Sequence, residues 1–123
     1  MRTILIVDDH ASFRRQARAQ LEAGGCAVVG EATDGRSAIE LAARLRPGVV
    51  LLDIGLPDID GFEVARQLSA GETPPQVILT SSRDAASYGP RIAQSPAAGF
   101  IAKDALSGPA LAALMAPAGE RRR

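Results

Sequence analysis

The sequence predicts an α/β fold, a doubly wound five-stranded parallel sheet, from three observations. Short apolar runs recur at 4–7 (ILIV), 27–29 (AVV), 49–52 (VVLL), 77–79 (VIL) and 100–102 (FIA), with room for a helix between each pair. That rhythm is β-α-β-α. The runs are continuous rather than alternating, as in strands covered by helices on both faces. At 123 residues the chain can bury one substantial core and has no room for a second catalytic domain.

The elements follow in order. The first strand ends in Asp8 and Asp9, and Phe13, Ala17 and Leu21 share one face of the helix after it. Cys26 opens the second strand as a small core residue; as the only cysteine it has no internal disulfide partner. Ile39, Ala42 and Leu45 mark the second helix, and Phe62, Ala65 and Leu68 the third. Between them the third strand runs into Asp53 and the segment GLPDIDG, where Asp58 and Asp60 read as turn and cap residues. The fourth crossover, 83–95, carries Gly89 and Pro90 where a helix should be centred, so a short or broken helix is expected. Ser107, Gly108 and Pro109 read as the cap and first turn of a last helix bearing Leu111, Leu114 and Met115, with Pro117 at its end. The domain is expected to occupy 1–116, with 117–123 a frayed tail or the start of a linker.

Fourteen basic residues balance fourteen acidic ones, which removes the electrostatic case for direct nucleic-acid or anionic-membrane binding. The opening MRTILIV is too short and too soon charged for a signal peptide, and no apolar run approaches the roughly 20 residues of a membrane span. A soluble, cytoplasmic protein is expected. Arg14, Arg15 and Arg18 are read as a solvated basic face in preference to a docking site, and His10 as a loop residue.

In open parallel sheets ligands bind beyond the carboxyl ends of the strands. Those ends carry Asp8 and Asp9, Asp53, Thr80 and Ser81, and Lys103. If the first, third and fourth strands are neighbours, three carboxylates converge beside a hydroxyl and an ammonium. Such crowding needs a cation, and hard oxygen ligands suit Mg2+, which uses few carboxylates and adds a phosphate oxygen. Thirteen of the fourteen basic residues are arginine, so the single lysine, Lys103, points to a site that wants a compact ammonium for phosphate.

The segments ILIVDDH, VVLLDIGLPDIDG, VILTSS and GFIAKD, in this order and spacing, resemble the receiver domain of two-component response regulators over residues 2–116. The resemblance implies the flavodoxin-like fold with strand order 2-1-3-4-5. It implies that Asp53 is the phosphoacceptor, taking a phosphoryl group from a phosphohistidine on a sensor histidine kinase. Asp9 and Asp53 would ligate Mg2+ directly, Asp8 mainly through water, and the backbone carbonyl of Gly55 would add a ligand. Lys103 would pair with the attached phosphate. Counting back from Lys103 favours Ser81 as the switch hydroxyl, whereas PQVILT alone favours Thr80; Ser81 is preferred. Phe100 stands at the family's switch-aromatic position but lacks a hydroxyl, so both a core role and a rotameric switch stay open. In the family, phosphate draws the hydroxyl inward, the aromatic follows, and the face built from the fourth helix, fifth strand and last helix shifts. Gly89 and Pro90 lie in that face, so this chain's output surface is expected to depart from the common pattern.

The expected role is a phosphorylation switch with at most slow self-dephosphorylation, not a turnover enzyme. The output partner is unknown, and a phosphorylation-dependent homodimer is a hypothesis. One alternative is the receiver part of a DNA-binding transcriptional regulator; another is a phosphorylation-independent interaction module. A Mg2+-dependent aspartyl-phosphate phosphatase commonly needs an acid two residues after its nucleophile, where this chain has Gly55. No G-x-G-x-x-G or P-loop sequence follows the first strand, which disfavours a nucleotide site.

Overall fold

Five parallel strands form one sheet in the order β2-β1-β3-β4-β5. The computed structural model describes residues 2–115. The strands are β1 (Thr3–Val7), β2 (Ala27–Ala32), β3 (Val49–Asp53), β4 (Gln76–Ser81) and β5 (Gly99–Ala102). The helices are α1 (Ala11–Ala23), α2 (Gly35–Leu45), α3 (Gly61–Ser69), α4 (Arg91–Gln94) and α5 (Gly108–Leu114), with 3-10 turns at Ala85–Tyr88 and Lys103–Ala105. Pro117 and the 119–123 tail lie outside the described residues.

Alternation within the apolar runs divides two cores. Ile4, Ile6, Val49, Leu51, Ile78 and Ile101 face α1 and α5, meeting Phe13, Ala17, Leu21 and Leu111. Leu5, Val7, Val50, Leu52, Val77 and Leu79 face α2 and α3, meeting Ala38, Ala42, Val64, Ala65 and Leu68. Each large side chain taken fully out of water contributes about 1.5–3 kcal/mol, so the central strands β1, β3 and β4 anchor the domain.

The buried face of α2 differs from the expected stripe. Gly35, Ala38 and Ala42 are the buried residues, whereas Ile39 sits at the rim and Leu45 is 38% exposed. Small residues face inward because α2 meets its neighbours closely: a Cβ on Gly35 would lie 2.8 Å from Val64 Cγ2. Asp58 explains the approach. It receives the amides of Gly35 (2.7 Å) and Arg36 (3.0 Å), joining the β3–α3 loop to the positive end of α2. The Gly35 amide foremost, with those of Arg36 and Ile59, holds its carboxyl below the usual range. Asp60 caps α3 by accepting the Phe62 amide at 2.7 Å. Both aspartates thus have the turn and cap roles their setting predicted.

Cys26 is only partly buried, packed at the margin of the α1/α5 core, because its edge strand has less covering than the centre. Arg14 and Arg18 are not a free basic face: their Nε atoms lie 3.0 and 2.7 Å from the carboxylate of Glu31 on β2. Arg15 is exposed. Where the fourth crossover was expected to break, the chain makes one 3-10 turn, ends it at Gly89 with φ 58°, and starts a four-residue α4 after Pro90. Ser107 caps α5, accepting the Ala110 amide at 3.0 Å, with Pro109 in the first turn. No helix among the described residues is long and apolar enough to cross a membrane.

Candidate functional site

The carboxyl ends of β1, β3, β4 and β5 open onto a cleft of about 310 Å³ lined by Asp53, Gly55, Ser81, Tyr88 and Lys103 among others. Backbone pairing sets its floor. The Asp8 amide donates to Ala32 O at 3.0 Å and the Ile54 amide to Thr80 O at 2.9 Å, fixing the chain on either side of the acidic residues. Gly61 fits its place because a Cβ there would come within 2.6 Å of both Asp53 O and Ile54 Cα. Its amide donates to Ile54 O at 2.9 Å, so the start of α3 presses directly on the strand end that carries Asp53.

Asp8 and Asp53 are buried, while Asp9 and His10 face solvent. Ligand atoms of these four residues all lie within 4.8 Å of one another. Lys103 Nζ lies 2.6 Å from Asp8 Oδ2 and 3.5 Å from Asp53 Oδ2. Asp8 Oδ2 makes no directed hydrogen bond among the described residues, so the short contact with Lys103 is an ion pair without that alignment. Phe13 lies beneath the ammonium, its ring centroid 4.9 Å from Nζ.

Burial, and secondarily the charge of Asp8, push the Asp53 carboxyl above the usual carboxylate range, against the Gly55 amide at 3.1 Å and Lys103. One ammonium therefore does not fully compensate the crowded carboxylates. A hard divalent cation fits the remaining demand: all three aspartates offer oxygen, and a 2+ charge at the cluster relieves the repulsion felt by Asp53. Within the four-residue cluster, Asp8, Asp9 and Asp53 offer the oxygen atoms such a cation takes, and His10 a nitrogen.

Ser81 and Thr80 divide sharply. Ser81 lines the cleft and accepts the Arg83 amide at 3.0 Å. Thr80 is wholly buried and its Oγ1 has no hydrogen-bond partner among the described residues. Phe100 is half-buried beside β4, its ring centroid 6.3 Å from that of Tyr88.

His10 lies in the loop before α1, as expected, where its amide donates to Asp8 Oδ1 at 2.8 Å and its Nδ1 lies 3.1 Å from an oxygen of each of Asp8 and Asp9. One neighbour of the site escaped the sequence reading. Tyr88 hydrogen-bonds Ser81 Oγ through its hydroxyl and sets its ring between Phe62 and Phe100. Its signal in the sequence is slight, a lone tyrosine just before Gly89 and Pro90.

A parallel sheet in this strand order with an acidic cluster and a lysine at its carboxyl edge defines a receiver-type α/β protein. The chain belongs to the response regulator receiver domain family, which it matches over residues 4–114. It is 38% identical over 103 residues to a protein of Pseudomonas aeruginosa named as a transcriptional regulator, covering 84% of this chain and 50% of that protein. It is 40% identical over 102 residues to the transcriptional regulatory protein NarL of Mycobacterium tuberculosis, covering 82% and 47%. The chain thus spans about half the length of these relatives. The solved receiver domain of NarL from Mycobacterium tuberculosis superposes with a TM-score of 0.83 at 35% identity, over 91% of this chain and 94% of that one.

Proposed function

We propose that this domain is a Mg2+-dependent phosphoacceptor in which Asp53 receives a phosphoryl group from the phosphohistidine of a sensor histidine kinase. The observation that carries the reading is the buried Asp53 carboxylate, facing Lys103 and crowded by Asp8 at the open end of a parallel sheet. An Asp53 carboxylate oxygen forms the new O–P bond as the donor's P–N bond breaks, and the bonding pair returns to the imidazole. Asp9 and Asp53, with the Gly55 backbone carbonyl, would hold the cation directly, and Asp8 mainly through water. When bound, Mg2+ supplies electrostatic stabilisation of the negative charge on the transferring group.

Lys103 leaves its contacts with Asp8 and Asp53 to pair with the attached phosphoryl oxygens. The Ser81 hydroxyl donates to one of them, and Thr80 remains a core residue. The domain boundary falls near 116, and the output belongs to another domain or protein. Similarity to transcriptional regulators about twice this length favours a DNA-binding output part over an enzymatic one. A homodimer formed on phosphorylation through the β5/α5 face is a second element of the proposal; unchanged sedimentation of the phosphorylated chain would remove it.

Incubation with phosphoramidate, a small P–N donor, followed by borohydride reduction and peptide mapping tests the acceptor. Reduction of an aspartyl phosphate yields homoserine, expected at position 53 alone. Homoserine at position 8 or 9 would reassign the nucleophile.

A further inference from the structure

The reading of Asp53 as phosphoacceptor leaves the Ser81–Tyr88 contact without a role. We infer that Tyr88 is a positioning residue of the phosphoryl site: its hydroxyl, donating to Ser81 Oγ, aims the Ser81 proton at the phosphoryl group. This rests on the phosphoacceptor reading and assigns the coupling of that site to the output surface.

A serine hydroxyl has two acceptor positions and one donor hydrogen. At Ser81 the Arg83 amide fills one acceptor position at 3.0 Å. Either hydroxyl of the Ser81–Tyr88 pair has a hydrogen to give; phenols as a class donate better than aliphatic alcohols, and with Tyr88 as the donor its bond to Ser81 Oγ fills the other position. With both acceptor positions taken, the hydrogen of Ser81 has one direction left. Ser81 lines the same cleft as Asp53 and Lys103, so an oxygen of a phosphoryl group on Asp53 is the acceptor that the cleft offers it. The chain Tyr88 to Ser81 to phosphoryl oxygen then strengthens at both links, because each donor is polarised by the next.

The tyrosine ring is held for this task. It meets Phe62 of α3 edge-on at 5.8 Å and Phe100 of β5 at 6.3 Å. Tyr88 is also the last residue of the 3-10 turn that replaces the first part of a regular fourth helix. Loading the site therefore tightens the turn Ala85–Tyr88 on the aromatic shelf. Phe100, which has no hydroxyl, serves as that shelf and Tyr88 as the reporting aromatic.

The chain has one tyrosine and no tryptophan, so its tyrosine absorbance reports Tyr88 alone. The test titrates beryllofluoride, a phosphoryl mimic, in the presence of Mg2+, following adduct formation by 19F NMR and the tyrosine band in parallel. Wild type is expected to show a red shift of the band as the adduct forms, the signature of a phenol donating a stronger hydrogen bond. Tyr88→Phe is expected to weaken beryllofluoride binding roughly 3- to 10-fold, the range of one neutral hydrogen bond. Ser81→Ala is expected to lose as much and to abolish the shift, and the double variant to be little worse than either single. Unaltered or tighter binding by Tyr88→Phe overturns the inference, tighter binding being the mark of a bond that must break on loading. An adduct that leaves the tyrosine band unmoved overturns it independently of any variant. No adduct on wild type overturns the phosphoacceptor reading itself, and this inference with it.

Discussion

Asp53 keeps its proton more tightly in the folded chain than in the unfolded one, chiefly because it is buried and next because Asp8 stands near. That stabilisation is complete below the usual aspartate range and is lost as pH rises through the raised value. Above that raised value the metal-free protein carries a destabilising charge at Asp53. Asp53→Asn is expected to stabilise it by about 1 kcal/mol, or roughly 3–6 °C in Tm, and to remove most of the stabilisation that Mg2+ gives wild type. Thermal melts of both proteins with Mg2+ and with EDTA check this. The two hydroxyls of β4 part by similar reasoning. Thr80→Val removes a buried hydroxyl that has no partner among the described residues and is expected to leave phosphorylation intact while raising stability by up to about 1 kcal/mol; Ser81→Ala should slow it. Slowing by Thr80→Val alone would reverse that assignment. Asp8, Asp9, Asp53 and Lys103 were legible because each directly follows an apolar run, and their convergence then depends only on strand order. Tyr88 was not, because its partner lies across a turn whose path no periodicity specifies.

Helix α3 begins against β3 with no space for a side chain, and this contact holds the strand end that carries Asp53. Gly61→Ala would force a Cβ against Asp53 O and Ile54 Cα, both backbone atoms, at 2.6 Å. The expected cost is about 1–3 kcal/mol, measured by urea unfolding, with slower phosphorylation because the displaced backbone carries Asp53. A variant with wild-type stability would show that α3 is free to shift. The strands were readable as continuous apolar runs, but β2 was read too short because Gly30 and Glu31 interrupt the pattern. Each has a tertiary reason. Leu45 Cδ1 occupies the place of a Gly30 Cβ at 2.8 Å, and Glu31 answers Arg14 and Arg18. The stripe of α2 was misread for a related reason: large apolar residues announce a buried face, yet close packing places Gly35 and Ala38 there.

On the scale of the whole molecule the charges cancel, so the local field at the carboxyl edge of the sheet decides what binds. On the proposed reading the acidic cluster attracts a cation first, and only a cation-filled site tolerates an incoming phosphoryl group. Phosphorylation should therefore depend on Mg2+ and should fail in Asp53→Asn under the same conditions. The fold was legible nearly throughout because a doubly buried parallel sheet writes itself as repeated apolar runs. The fourth crossover was legible only as an irregularity at Gly89 and Pro90, since no periodicity specifies the path of its 3-10 turn and four-residue α4. Intact-mass spectrometry after incubation with acetyl phosphate, with and without Mg2+, tests the central claim most directly. A single phosphoryl adduct that requires Mg2+ and is absent from Asp53→Asn is the predicted result. No adduct on the wild-type chain, or an equal adduct on the variant, would contradict it.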